Sequence, residues 1–252
     1  MSGDWTELRE ALRAANAAGR SLPVFFRDDD ANDDRPSLRQ LLRISASRQV
    51  PINLEVIPGL LTDDGAGLLR EAAAVNPELI GLNQHGWRHE NHEPTGRKSE
   101  FGQSRDLDQQ HRDISAGRQV MEKAFGKDFF PVFTPPWNRC TAVTHEVLVG
   151  LGFAAISDLA RHDWESLKGI VRIPATLDII DWKGSRDLRP GEEILAQLVE
   201  QIGAGGPVGI LLHHQVMSQT AFDFIARLID EMIDAGGVRF HLFQTMLKTD
   251  HE

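Results

Sequence analysis

Four apolar runs in this 252-residue chain stop at residues that can bind a metal ion or move a proton. The run at 22–26 ends in Arg27-Asp28-Asp29-Asp30, and the run at 79–82 leads into Asn83-Gln84-His85-Gly86-Trp87-Arg88-His89. Residues 132–133 precede Thr134-Pro135-Pro136-Trp137, and 208–212 precede His213-His214. Two histidines at i and i+4 would project from one face of a helical turn. Neutral imidazoles plus a carboxylate suit Zn²⁺ or a similar divalent ion with positions left open for water. Such an ion makes water far more acidic, so a nearby carboxylate can deprotonate it and an amide carbonyl on the same ion can be attacked. The leaving amine then needs a proton, and a histidine, with an ordinary pKa of about 6.5, is a natural general acid.

The elements that must position these residues follow from hydrophobic spacing. Leu8, Leu12 and Ala15 recur at helical intervals before the 22–26 strand; Leu38, Leu41, Leu42 and Ile44 do so before a strand at 52–57, which Pro58-Gly59 breaks. Helices are expected at 68–75, 106–125, 143–149, 192–202 and 222–233. They are interleaved with strands at 79–82, 132–133, 153–156, 171–173, 177–180 and 208–212. The alternation predicts a parallel α/β fold, a single distorted (β/α) barrel of about seven strands spanning 1–252 as one domain. An open sheet is disfavoured because no glycine-rich dinucleotide turn follows the first strand. In such a barrel the working residues gather at the C-terminal strand ends, where all four motifs fall.

The order and content of the motifs resemble the polysaccharide deacetylases of carbohydrate esterase family 4 over about residues 22–215. In that family a strand is followed by two aspartates, a general base and then a metal ligand. The run FFRDDDAN admits two registers: Asp28 as base with Asp29 as ligand, or Asp29 as base with Asp30 as ligand. The family's His-Ser/Thr-x-x-His motif matches His85 and His89, with Gly86 at the hydroxyl position. Its Arg-x-Pro-aromatic motif matches Pro136 and Trp137, but Thr134 stands where the arginine would pair with the catalytic aspartate. Arg27 is expected to supply that charge. The closing Leu-x-His-Asp motif matches His213, with His214 in place of the aspartate; either serves as acid, and His213 is favoured.

The resemblance implies a divalent metal ion, with zinc expected, and hydrolysis of an amide C–N bond, as in deacetylation of an N-acetylated sugar or small soluble glycan. A cyclic amide hydrolase of the same superfamily and a non-catalytic ligand-binding barrel are the alternatives. A formal charge of −10 disfavours nucleic acid. No window is apolar enough for a membrane span, and one cysteine allows no internal disulfide. Charges interrupt the first twenty residues where an export signal would be apolar, so a cytoplasmic enzyme with a small-molecule or oligosaccharide substrate is expected. Oligomeric state is left open.

Blander readings compete at several positions. The aspartate run suits a helix cap, and His92 suits a loop residue better than a further ligand. Trp137 and Trp182 divide between pocket wall and core. Glu55 and Asp178, charged within apparent strands, are given no role, and His111, His145, His162, His241 and His251 read as solvated.

Overall fold

The computed structural model describes residues 4–160 and 169–249, so His162 and His251 lie outside it. In chain order the first half contains α1 (Trp5–Ala17), β1 (Leu22–Asp28), α2 (Pro36–Arg48), β2 (Ile52–Val56), α3 (Asp63–Val75), β3 (Ile80–His85) and α4 (Leu107–Phe125). There follow β4 (Phe129–Thr134), α5 (Ala142–Gly150), β5 (Ala155–Ile156), β6 (Val171–Arg172), β7 (Leu177–Asp178) and α6 (Gly191–Ala204). The chain closes with β8 (Val208–Leu212), α7 (Gln219–Ala235), β9 (Val238–Phe240) and α8 (Phe243–Thr249). The expected alternation is present. The strands read at 153–156, 171–173 and 177–180 shrink to two residues each.

Two compact units emerge. The first holds the residues up to Asp28, Arg35–Ile52 and the residues from Thr176 on. Here β1 runs parallel to β8, with Val24 beside Val208 and Asp28 beside Leu212, so Asp28 reaches the level at which the chain leaves β8 for His213. β7 lies on the other side of β8, with Leu177 beside Ile210. β9 pairs with the opening of β1, Leu22 beside Val238. Helices cover this sheet because their apolar faces have the right period. In α7, Phe222, Ile225, Leu228, Ile229 and Met232 are buried, each contributing about 1.5–3 kcal/mol through removal of apolar surface from water. The Ser218 hydroxyl caps α7 by accepting the Ala221 N–H at 3.4 Å. Asp4 caps α1 through the N–H groups of Thr6 and Glu7, at 2.7 and 2.8 Å. β9 and α8 carry no pattern long enough to be read from sequence.

The second unit holds Asp29–Asp34 and Asn53–Ala175. Its strands lie in the order β6-β5-β4-β3-β2. β3 and β4 run parallel, with His85 directly beside Thr134. α4 opens with a capping box in which Asp106 accepts the Gln109 N–H at 2.8 Å and Gln109 accepts the Asp106 N–H at 3.0 Å. Among the described residues, no helix is long and apolar enough to cross a membrane.

Candidate metal centre and strand-end histidines

In the second unit the short segment after β1 is tied down by its backbone. Ala31 donates its N–H to the Glu55 carbonyl at 3.0 Å, and the Asn32 carbonyl accepts the Thr62 N–H at 2.9 Å. Between β1 and these anchors Asp30 adopts φ 71°, in the left-handed region that aspartate tolerates better than most side chains. Its Oδ1 lies 3.4 Å from His85 Nε2 and 3.7 Å from His89 Nε2. One donor atom from each of the three residues lies within 4.8 Å of the others.

His85 is the last residue of β3 and is buried. Its Nδ1 sits 3.0 Å from the Thr134 carbonyl, an oxygen that can only accept, so Nδ1 carries a proton and Nε2 is turned toward Asp30. Burial pulls the His85 pKa down, but Asp29, the contact and charge of Asp30, and Glu55 outweigh it and raise it to about 9. His89, pushed down by burial and by the His85 charge against the pull of Asp30 and Asp29, lies at about 4. A cation taken up at these nitrogens therefore displaces a proton from His85.

The i, i+4 histidines do not lie on a helical turn. Gly86 at φ 57° and His89 at φ 58° bend the chain out of helical geometry. The buried Glu100 carboxylate accepts the N–H groups of Trp87 at 3.0 Å, Arg88 at 2.7 Å and Glu90 at 3.4 Å. Burial raises the Glu100 pKa against the pull of those N–H donors. Gln84 donates to the Gly86 carbonyl at 3.0 Å and to the Ile114 carbonyl of α4 at 3.1 Å. The His89 ring packs on Trp137, with centroids 4.3 Å apart, so Trp137 is a wall of the cluster.

Two imidazoles and one carboxylate are the donor set of many divalent-ion sites. Their spacing also fits: donors about 2.1 Å from a common ion in tetrahedral arrangement are roughly 3.4 Å apart. Separations of 3.4 and 3.7 Å exceed a strong charge-assisted hydrogen bond, so the three residues are grouped without closing on one another.

The first unit has its own strand-end group. Asp28 accepts the His214 backbone N–H at 2.8 Å through Oδ1 and meets His214 Nδ1 at 2.6 Å through Oδ2, with both side chains fully buried. Its neighbour His213, 9% exposed, meets the edge of the Trp182 indole with centroids 4.7 Å apart. The Trp182 Nε1–H donates to Asp178 Oδ2 at 2.8 Å.

Other expectations resolve residue by residue. Arg27 is fully buried and so makes no surface ion pair, and Asp29 is 1% exposed. None of the three aspartates caps α2, whose N-cap position is Arg35. His92 is exposed and outside the three-donor cluster, its backbone N–H bonded to the Ser99 carbonyl. His145 corrects the solvated reading. It is buried, its Nε2 lies 3.5 Å from the Cys140 thiol, and burial lowers its pKa. Its position on the inner face of α5 was obscured because that helix is apolar nearly all round. Sequence reasoning missed Glu100 and Asp178. Glu100 acts thirteen residues from Trp87 with no local signal, whereas Asp178, a carboxylate in an apolar strand four residues before a tryptophan, carried one.

No protein-family model and no curated protein matches the sequence. Solved structures do match. A Mycobacterium smegmatis protein described as a polysaccharide deacetylase is 19% identical, with a TM-score of 0.71 over 92% of this chain and 90% of that one. A Streptococcus mutans family 4 carbohydrate esterase is 15% identical, with a TM-score of 0.62 over 92% and 88%. A family 4 acetyl xylan esterase from Clostridium thermocellum in complex with a cobalt ion is 17% identical, with a TM-score of 0.59 over 90% of each chain. These likenesses show the fold, which is the (β/α) barrel expected from sequence.

Proposed function

We propose that this chain is a metal-dependent hydrolase of amide C–N bonds. As a single catalytic domain in the cytoplasm, it would remove the acetyl group from an N-acetylated sugar or small soluble glycan. The observation that carries the reading is the convergence of Asp30, His85 and His89 donor atoms within 4.8 Å at strand ends of a deacetylase-type fold. Asp30, His85 and His89 would hold the ion, zinc by preference for this donor set, although the Clostridium relative held cobalt. When bound, the ion supplies Lewis acidity toward water and an acyl carbonyl.

The chain's own residues divide the remaining work. With Asp30 as ligand, the register makes Asp29, the preceding carboxylate, the general base that removes a proton from the attacking water. The Thr134 carbonyl keeps a proton on His85 Nδ1 and so presents Nε2. Arg27, buried at the end of β1, supplies positive charge next to the aspartate run. The acid must reach the leaving nitrogen. His214, with no exposed side-chain surface, is held by Asp28 as a positioning pair, whereas the partly accessible His213 donates the proton, its ring set by Trp182.

The test is acetate release from N-acetylated monosaccharides and short oligosaccharides, measured with added Zn²⁺ or Co²⁺ and again with a chelator. Release that requires the ion supports the reading. A metal-loaded protein that leaves every N-acetyl sugar intact but opens a cyclic amide would overturn the deacetylase assignment.

A further inference from the structure

The turn from Gly86 to His89 must bring a second imidazole back toward the first within four residues, without the help of a helix. Gly86 offers no side chain to brace it. A Cβ at that position would collide with Glu100 and Pro136, and φ 57° would strain any other residue there. The brace comes from Glu100, fully buried and thirteen residues from Trp87. One carboxylate oxygen takes the Trp87 N–H at 3.0 Å. The other takes those of Arg88 at 2.7 Å and, more weakly, Glu90 at 3.4 Å. Successive backbone N–H groups converging on one anion form a concave nest, and charge-assisted bonds of this kind are roughly twice as strong as neutral ones.

Glu100 is itself held on both sides. The Ser99 N–H donates to Asn91 Oδ1 at 2.9 Å, and Phe101 is buried edge-on against Phe133 of β4, with centroids 5.4 Å apart. The carboxylate is thus fixed to the sheet, and the turn is fixed to the carboxylate.

We propose that Glu100 is a positioning residue for metal binding: by gathering the N–H groups of residues 87, 88 and 90 it holds the turn that aims His89 Nε2 at Asp30. This rests on the metal reading above. Residues that orient ligands from outside typically change metal affinity by about 10- to 100-fold when lost.

The test is calorimetric titration of the metal-stripped protein with Co²⁺, together with amide hydrogen exchange at Trp87 and Arg88. Glu100→Ala should bind Co²⁺ about 10- to 100-fold more weakly. Glu100→Gln, which keeps the shape and one acceptor oxygen, should fall between it and wild type and remain folded where the alanine variant is not. In both variants the two amides should lose protection. Folded variants with wild-type Co²⁺ affinity would overturn the proposal, because a merely structural role lowers stability and leaves affinity intact. If the wild type itself takes up no Co²⁺, the metal reading falls and with it a role in metal binding. The exchange data then still report separately whether Glu100 holds the turn.

Discussion

Two strand ends in this molecule each bring a histidine to an aspartate, with opposite outcomes. In the first unit Asp28 and His214 close to 2.6 Å with both side chains buried. In the second, Asp30 stays 3.4 and 3.7 Å from two imidazoles and is itself 23% exposed. The same residue types thus make one close, fully buried contact in one place and a wider, partly exposed grouping of three in the other. Residue type announces that chemistry is possible; distance and exposure decide which chemistry.

The sharpest way to break this contrast is to remove ligands from the open group. Changing both His85 and His89 to Ala should abolish stoichiometric Zn²⁺ or Co²⁺ uptake, because one carboxylate cannot hold the ion against water. Metal analysis that still finds one ion per chain would sink the assignment. Next in size is the aspartate register. Asp29→Asn should keep its metal and lose about 10²- to 10⁴-fold in turnover, the usual worth of a general base, whereas Asp30→Asn should lose the metal. Loss of metal in Asp29→Asn, with Asp30→Asn keeping both metal and rate, would restore the unshifted register, with Asp28 as base and Asp29 as ligand.

The closed pair should respond in a different currency. Asp28→Ala removes the carboxylate that meets buried His214 Nδ1 and should cost about 3 kcal/mol of stability in urea unfolding, with Co²⁺ affinity unchanged. Equal stability would mean that the pair contributes nothing to the fold. The smallest effect belongs to Trp182→Phe, which keeps a ring beside His213 but loses the N–H donated to Asp178. Turnover should drop by about three- to tenfold, the worth of one modest hydrogen bond, while metal content stays constant. An unchanged rate would release Trp182 and Asp178 from any part in setting His213.

These contrasts also mark where the sequence was legible. The β-α alternation, the strand-end location of all four motifs and the pairing of His85 with His89 rest on local periodicity and spacing, which a single chain displays. The shape of the histidine turn does not, because it is imposed by Glu100 and by the space between Gly86 and Pro136, contacts made across more than ten residues. The aspartate register depends on a backbone anchored by Glu55 and Thr62, which no motif encodes. β9 is three residues long and exists because the opening of β1 offers it an edge. His145 looked solvated because the apolar face of α5 has no clear polar opposite.

Asp30, His89 and Trp137, two donors and the wall beside them, all have positive φ, a conformation that costs non-glycine residues of order 1 kcal/mol or more each. Glycine at Asp30 and His89 would relieve that backbone strain but would remove two of the three donors. Selection for thermal resistance alone would wear away this corner first and leave a sturdier, silent protein. Libraries screened for stability should accordingly be scored for cation uptake in the same round, since here the two properties pull against each other.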